Sequence, residues 1–244
     1  MSINKQKILF LDRDGTICHD DGAFNDETIP YKEIIEKTRP IEGVKESLKI
    51  AKEKGYMLVV ISNQAGIAKG RFDECDTHYS NKLLQEKLDG LIDGFYYCPH
   101  HTSGRNSEGK ISENAKMNLI FNCDCRKPEI GMFLQCENDL RNGKLQYIDE
   151  QMIKERTPYV EDRNNIYKRD VEPAEVDKEH SYMIGDKWLD VLSGERYGVN
   201  AIFVMSGEGE VEYKHKKDKQ KVLPTKYEIF SDINKFISER IMKP

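Results

Sequence analysis

Ile8-Leu9-Phe10-Leu11-Asp12-Arg13-Asp14-Gly15-Thr16-Ile17 is the stretch from which the architecture of this 244-residue chain can be read. The apolar run 8–11 has the pattern of a strand buried on both faces of a parallel sheet. Asp12 and Asp14, two positions apart, then project to the same side as the chain leaves the sheet. Open α/β sheets bind ligands at the carboxyl ends of their strands, and two buried like charges there need a cation. The pattern points to a Mg²⁺ site in which one carboxylate is also a nucleophile. An Asp-x-Asp-Gly can equally be a plain turn, so the rest of the chain has to decide.

Further strand-like runs lie at 57–62, 94–97, 181–184, 201–204 and 227–230. Between them, residues 44–54 carry apolar positions at helical spacing and end at Gly55, a C-terminal cap residue. Leu83, Leu84, Leu88 and Leu91 give 77–91 the same period, and a helix is expected at about 131–140. Strands alternating with helices predict the α/β class: a Rossmann-like, doubly wound parallel sheet with helices on both faces. Three segments exceed that plan. Residues 16–42 form a long excursion with a turn signal at Asp20-Asp21-Gly22 and a helical pattern around 31–37. Residues 101–122 are a polar loop, and 141–180 is a charged insertion, either a small subdomain or a partly mobile loop.

Three more stretches, two at strand ends and one in a loop before a helix, carry chemistry. Ser62-Asn63-Gln64-Ala65-Gly66 follows the second strand, and Ser62 Oγ with the loop N–H groups suits phosphate oxygens. Arg126-Lys127-Pro128 precedes the 131–140 helix; a basic pair there opposes the helix dipole unless an anion is placed beside it. Gly185-Asp186-Lys187-Trp188-Leu189-Asp190 ends the fourth strand. Asp186 is positioned to complete a metal site with Asp12, while Asp190 is either part of the site or an ordinary first-turn acid of a helix starting near Trp188.

In this order the four motifs resemble the haloacid dehalogenase superfamily of phosphotransferases. The resemblance implies a haloacid dehalogenase-like fold without a large cap domain. It implies that Asp12 is the nucleophile forming an aspartyl-phosphate, and Asp14 the general acid and then base. It further implies that Ser62 and Lys127 clamp the phosphate, and that Asp12, Asp186 and the main chain of Asp14 hold Mg²⁺.

Cys98-Pro99-His100 and Cys123-Asp124-Cys125 flank a 22-residue loop. Three thiolates and one imidazole with no open position make a closed tetrahedral site, the structural type of Zn²⁺ site; adjacency alone does not choose between His100 and His101. A zinc loop over 98–125 is similar to that of the histidinol-phosphate and heptose-bisphosphate phosphatases of the superfamily. The segments 63–72, 96–101, 128–132 and 185–187 resemble the heptose-bisphosphate group more. That resemblance implies removal of the C7 phosphate of a heptose 1,7-bisphosphate in surface-polysaccharide synthesis, with Asn63, Arg126 and Lys187 as substrate contacts. Histidinol phosphate and other sugar phosphates are the alternative substrates, and a non-catalytic binding protein the alternative class.

Composition bounds the rest. With 38% hydrophobic and 33% charged residues and a net charge of −5, the chain should be soluble and have no nucleic-acid partner. No run reaches the ~18 apolar residues of a membrane span, and the N-terminal residues lack a signal-peptide pattern. A cytoplasmic, monomeric, single-domain enzyme spanning 1–244 is expected. Its partner would be a small sugar phosphate, not a membrane. Cys18, Cys75 and Cys136 are expected to be buried small residues.

Overall fold

Along the first strand, β1 (Lys5–Leu11), successive side chains enter opposite layers of the molecule. Leu9 and Leu11 join one apolar cluster and Ile8 and Phe10 another, all fully buried. This is why the run is apolar without alternation. The computed structural model describes residues 4–20, 29–106, 108–215 and 223–243, so the turn expected at Asp20-Asp21-Gly22 lies mostly outside the described residues.

The helices are α1 (Tyr31–Glu36), α2 (Val44–Glu53), α3 (Glu74–Lys87), α4 (Gly131–Arg141), α5 (Glu150–Glu155), α6 (Trp188–Tyr197), α7 (Gly209–Lys214) and α8 (Ile233–Phe236). The remaining strands are β2 (Tyr56–Asn63), β3 (Gly94–Cys98), β4 (Lys144–Gln146), β5 (Lys168–Asp170), β6 (Glu175–Val176), β7 (Tyr182–Gly185), β8 (Asn200–Val204) and β9 (Glu228–Phe230). The main sheet runs β3-β2-β1-β7-β8-β9, with β6 also pairing with the start of β1, and all its ladders are parallel. From β1 the chain winds outward to β3, then returns to build β7, β8 and β9 on the other side. The strand order therefore reverses between β1 and β7, where such sheets open a ligand crevice. Helices α2, α3 and α8 cover the face of Leu9 and Leu11, and α4 covers the face of Ile8 and Phe10.

The helix expected over 77–91 is displaced towards the N-terminus. It starts at Glu74 because the Asp76 carboxylate accepts the Asp73 N–H (3.0 Å), a capping arrangement. It stops short of Asp89 and Gly90, whose φ angles of 51° and 78° cannot continue a right-handed helix.

Residues 141–180 are neither a lobe apart nor a bare loop. Leu145, Ile148, Met152 and Ile166 are buried against the main body. The Pro158 and Thr157 carbonyls accept the Glu74 and Cys75 N–H groups at the start of α3 (3.1 and 3.2 Å). Glu74, fully buried, pairs with Arg163 and accepts the Val160 N–H at 2.6 Å. This segment thus caps a neighbouring helix with its carbonyls and pairs that helix's first carboxylate with Arg163. The polar loop 101–122 is likewise tied down: Leu119 is buried beside Ile67 and Tyr97, and Lys116 N–H donates to the Ala68 carbonyl (2.9 Å).

Candidate active site

Asp12 leaves β1 with its N–H on the Ile184 carbonyl of β7 (2.9 Å), directly over the crevice. Beside it stands Lys127, 1% exposed, whose three ammonium hydrogens meet three acceptors at 2.6 Å: Asp12 Oδ1, Asp190 Oδ1 and the Ile61 carbonyl. A buried ammonium persists only when paired in this way. Burial works against its charge, but Asp12 and Asp190 more than compensate and raise its pKa. The Lys127 main chain is gripped too. Its N–H donates to Asn63 Oδ1 (3.0 Å), and Asn63 Nδ2 donates to its carbonyl (3.2 Å). Asn63, expected against substrate, spends its amide on the lysine. Asp190 acts twice, accepting the Lys187 N–H at the start of α6 (3.0 Å) while holding Lys127.

Asp12, Asp186 and Asp190 are all buried and bring one carboxylate oxygen each within 4.8 Å of the others. Burial lifts the Asp12 carboxyl to about 6 even though Lys127 pulls it down. Burial and then the Asp12 charge lift Asp186 to about 8. Asp186 Oδ2 accepts the Glu208 N–H (2.8 Å), whereas buried Asp186 Oδ1 has no hydrogen-bond partner among the described residues. Two glycines close over this carboxylate: a Cβ on Gly15 would stand 2.2 Å from Asp186 Oδ2, and one on Gly207 2.5 Å from it. An orphaned, glycine-walled carboxylate beside a second carboxylate is a donor set suited to a hard divalent cation. Lys187 lies within electrostatic reach of Asp186 and Asp12 and 3.7 Å from Glu208.

Asp14 faces a different environment. Arg13, 1% exposed, forks onto it with Nε–Oδ1 and Nη2–Oδ2 distances of 3.0 Å, and Gln64 Nε2 donates to Oδ2 (3.2 Å). Burial would raise the Asp14 carboxyl, but the guanidinium prevails and holds it below the usual range. Arg13 is in turn anchored on α3 by Asn81 Oδ1 (3.0 Å). Gln64 Nε2 also donates to Ser62 Oγ (2.7 Å), so one amide ties the expected phosphate hydroxyl to the expected acid–base group. Neither Arg13 nor Gln64 stood out in the sequence, although both lie inside the motifs.

The second cluster forms as the spacing predicts. Cys98, His100, Cys123 and Cys125 bring their ligand atoms within 4.8 Å of one another. Sγ of Cys125 lies 3.0 Å from that of Cys98 and 3.2 Å from His100 Nδ1. His101 turns away, its Nδ1 accepting the Ser103 and Gly104 N–H groups (3.2 and 2.8 Å). Hydrogen bonding with Cys98 pushes the Cys123 and Cys125 thiols down, while the same contacts push Cys98 up. Such a donor set fits a structural Zn²⁺. Arg126 Nη1 donates to the His100 carbonyl (3.2 Å), bonding the cluster to the residue before Lys127.

A family model described as HAD-hydrolase-like matches residues 124–232. A D-glycero-beta-D-manno-heptose-1,7-bisphosphate 7-phosphatase from Haemophilus ducreyi is 34% identical over 83% of this chain and 85% of its own length. The chain belongs to the haloacid dehalogenase-like family of heptose-bisphosphate phosphatases. The Pasteurella multocida member is 32% identical over 83% of this chain and 84% of its own. A member from B. bronchiseptica, crystallised with magnesium and phosphate, shares the fold with a TM-score of 0.59 at 18% identity, covering 98% of this chain and 100% of its own. The doubly wound sheet and the phosphatase class expected of this chain are those of its family.

Proposed function

We propose that this phosphatase removes the C7 phosphate of D-glycero-D-manno-heptose 1,7-bisphosphate in the presence of Mg²⁺, the whole chain acting as one catalytic unit without a large cap. The observation that carries this reading is the buried carboxylate pair Asp12 and Asp186 across the β1–β7 crevice, with Lys127 locked beside it. The names of relatives 32–34% identical over most of their length supply the substrate.

Asp12, Asp186 and the Asp14 carbonyl would hold the Mg²⁺, which supplies charge neutralisation between carboxylate and phosphate. Lys127, on giving up one of its three present hydrogen bonds, would join Ser62 and the loop after β2 in holding the equatorial phosphoryl oxygens in line, which is most of what phosphoryl transfer demands. An Asp12 oxygen forms a bond to phosphorus as the bond to the C7 oxygen breaks, and Asp14 gives that oxygen its proton. Asp14 then takes a proton from water as the water oxygen attacks phosphorus, releasing inorganic phosphate and Asp12. In the geometry above Asp14 is in the base form, held by Arg13; it must gain a proton to serve the first half. Arg126 and Lys187 are the cations left to meet the rest of the substrate. The Cys98, His100, Cys123 and Cys125 cluster is read as a structural Zn²⁺ site, and the working compartment as the cytoplasm. No described helix is long and apolar enough to cross a membrane.

Steady-state kinetics in Mg²⁺ with both anomers of the bisphosphate and with histidinol phosphate test the reading. A kcat/KM for one anomer exceeding that for histidinol phosphate by orders of magnitude is expected. The reverse preference, or no turnover of either anomer, would sink it.

A further inference from the structure

Gln64 stands two positions beyond Ser62, so both side chains leave the end of β2 on the same side. Its main chain is locked. The Gln64 N–H donates to the Cys98 carbonyl (2.8 Å), carrying the β2–β3 ladder one residue past Asn63, and its carbonyl accepts the Ile67 N–H (3.2 Å). The side chain is buried. A primary amide nitrogen has two hydrogens and accepts nothing. Both are spent here, on Ser62 Oγ at 2.7 Å and on Asp14 Oδ2 at 3.2 Å.

The amide is held this way round by its surroundings. Asp14 Oδ2 already accepts Arg13 Nη2 (3.0 Å) and, in the base form, has no hydrogen to give. An amide carbonyl turned towards it would be repelled, so the nitrogen faces Asp14. That same nitrogen faces Ser62, and Ser62 Oγ is therefore an acceptor on this side. A hydroxyl also has one hydrogen to donate. Among the described residues, Gln64 is the side-chain partner of Ser62 Oγ, and it leaves that hydrogen unspent. Lys127 differs: its three ammonium hydrogens are already engaged, one of them on the carbonyl of Ile61, the residue before Ser62.

We propose that Gln64 is a positioning residue: by donating to Ser62 Oγ it fixes that oxygen as an acceptor on the protein side and reserves the hydroxyl hydrogen for an oxygen of the phosphoryl group. A donor oriented before the substrate arrives needs no reorganisation at the moment of reaction. The assignment rests on the reading of Ser62 as a phosphate clamp and adds what orients it.

The test is a double-mutant cycle in kcat/KM on heptose 1,7-bisphosphate, or on p-nitrophenyl phosphate should the bisphosphate not be turned over. Gln64→Glu keeps the shape but sets an acceptor where the donor was, so the Ser62 hydrogen turns to the new carboxylate. It should lower kcat/KM roughly 100-fold when Ser62 is intact. With Ser62→Ala already made, the same change should cost at least about tenfold less, since only the added charge beside Asp14 remains. Gln64→Met removes the donor without adding an acceptor. It should show the same dependence on Ser62 at a smaller cost, and it carries the cycle if Gln64→Glu does not fold. A glutamine that merely supports the loop would give losses that multiply. Losses equal within about twofold with and without the Ser62 hydroxyl would therefore overturn the assignment. An unchanged kcat/KM in Ser62→Ala alone would overturn both it and the clamp. Coupling seen on p-nitrophenyl phosphate without turnover of the bisphosphate would sink the sugar reading and leave this one standing; no turnover of either would sink both.

Discussion

Lys127 has every ammonium hydrogen committed before any substrate arrives, so the loss of either partner is felt by the other. Lys127→Met should abolish turnover and leave Asp12 and Asp190 buried without their cation, at a cost of about 3–5 kcal/mol. Urea unfolding alongside the assay checks both parts. Asp12→Asn should reduce kcat at least about a thousandfold while the fold survives; near-normal turnover would move the nucleophile elsewhere. His78 offers a prediction in pH. It is buried, with Nδ1 accepting the Asp149 N–H (3.0 Å) and Nε2 facing the Tyr97 hydroxyl (2.9 Å). Burial lowers its pKa from 6.5 to about 4, with Asp149 opposing and Arg163 assisting. The unfolded chain therefore binds the proton more readily than the native one. The contribution is full above pH 6.5 and is lost as pH falls towards 4, roughly 2 kcal/mol of it between pH 7 and pH 5. His78→Gln should flatten that part of the stability profile; an unchanged slope would remove His78 from the account.

At the scale of elements, the cysteine–histidine cluster proposed to hold zinc and the loop of Lys127 are one unit. Cys125 is two residues from Lys127, and Gly131 N–H at the start of α4 donates back to the Asp124 carbonyl (2.8 Å). Without a side chain Gly131 can sit there; a Cβ would stand 2.7 Å from that oxygen. Stripping zinc with a chelator, then restoring Mg²⁺ in excess, should cost activity that returns with zinc. Full activity in a folded protein shown by elemental analysis to lack zinc would break the link. The segment 141–180 also braces an element, the start of α3. Glu74→Gln should weaken its pairing with Arg163 and lower stability by about 1–3 kcal/mol, read as the urea midpoint, with kcat little changed.

For the molecule as a whole, the strands and the order of the motifs were legible because buried parallel strands are nearly pure apolar runs. The Gly-Asp and Asp-x-Asp endings then announce where each strand leaves the sheet. Arg13 was not legible: an arginine between two site aspartates looks solvent-bound until α3, some seventy residues on, is seen to receive it. The grip of Asn63 on Lys127 was hidden for a related reason, since its partner is a main chain far along the sequence. The insertion was opaque because its apolar residues lack a period. They fill gaps against α3 and the β3 side of the sheet instead of forming a core of their own.

Because the strand order reverses between β1 and β7, the carboxylates of the centre come from opposite ends of the synthesis. During translation Asp12 emerges early and has no counterpart until Asp186 and Asp190 have followed and β7 has docked on β1. A nascent chain halted before that point would carry Asp12 without the carboxylates proposed to share a cation with it. On the proposed mechanism, activity therefore awaits the β1–β7 pairing that completes the crevice.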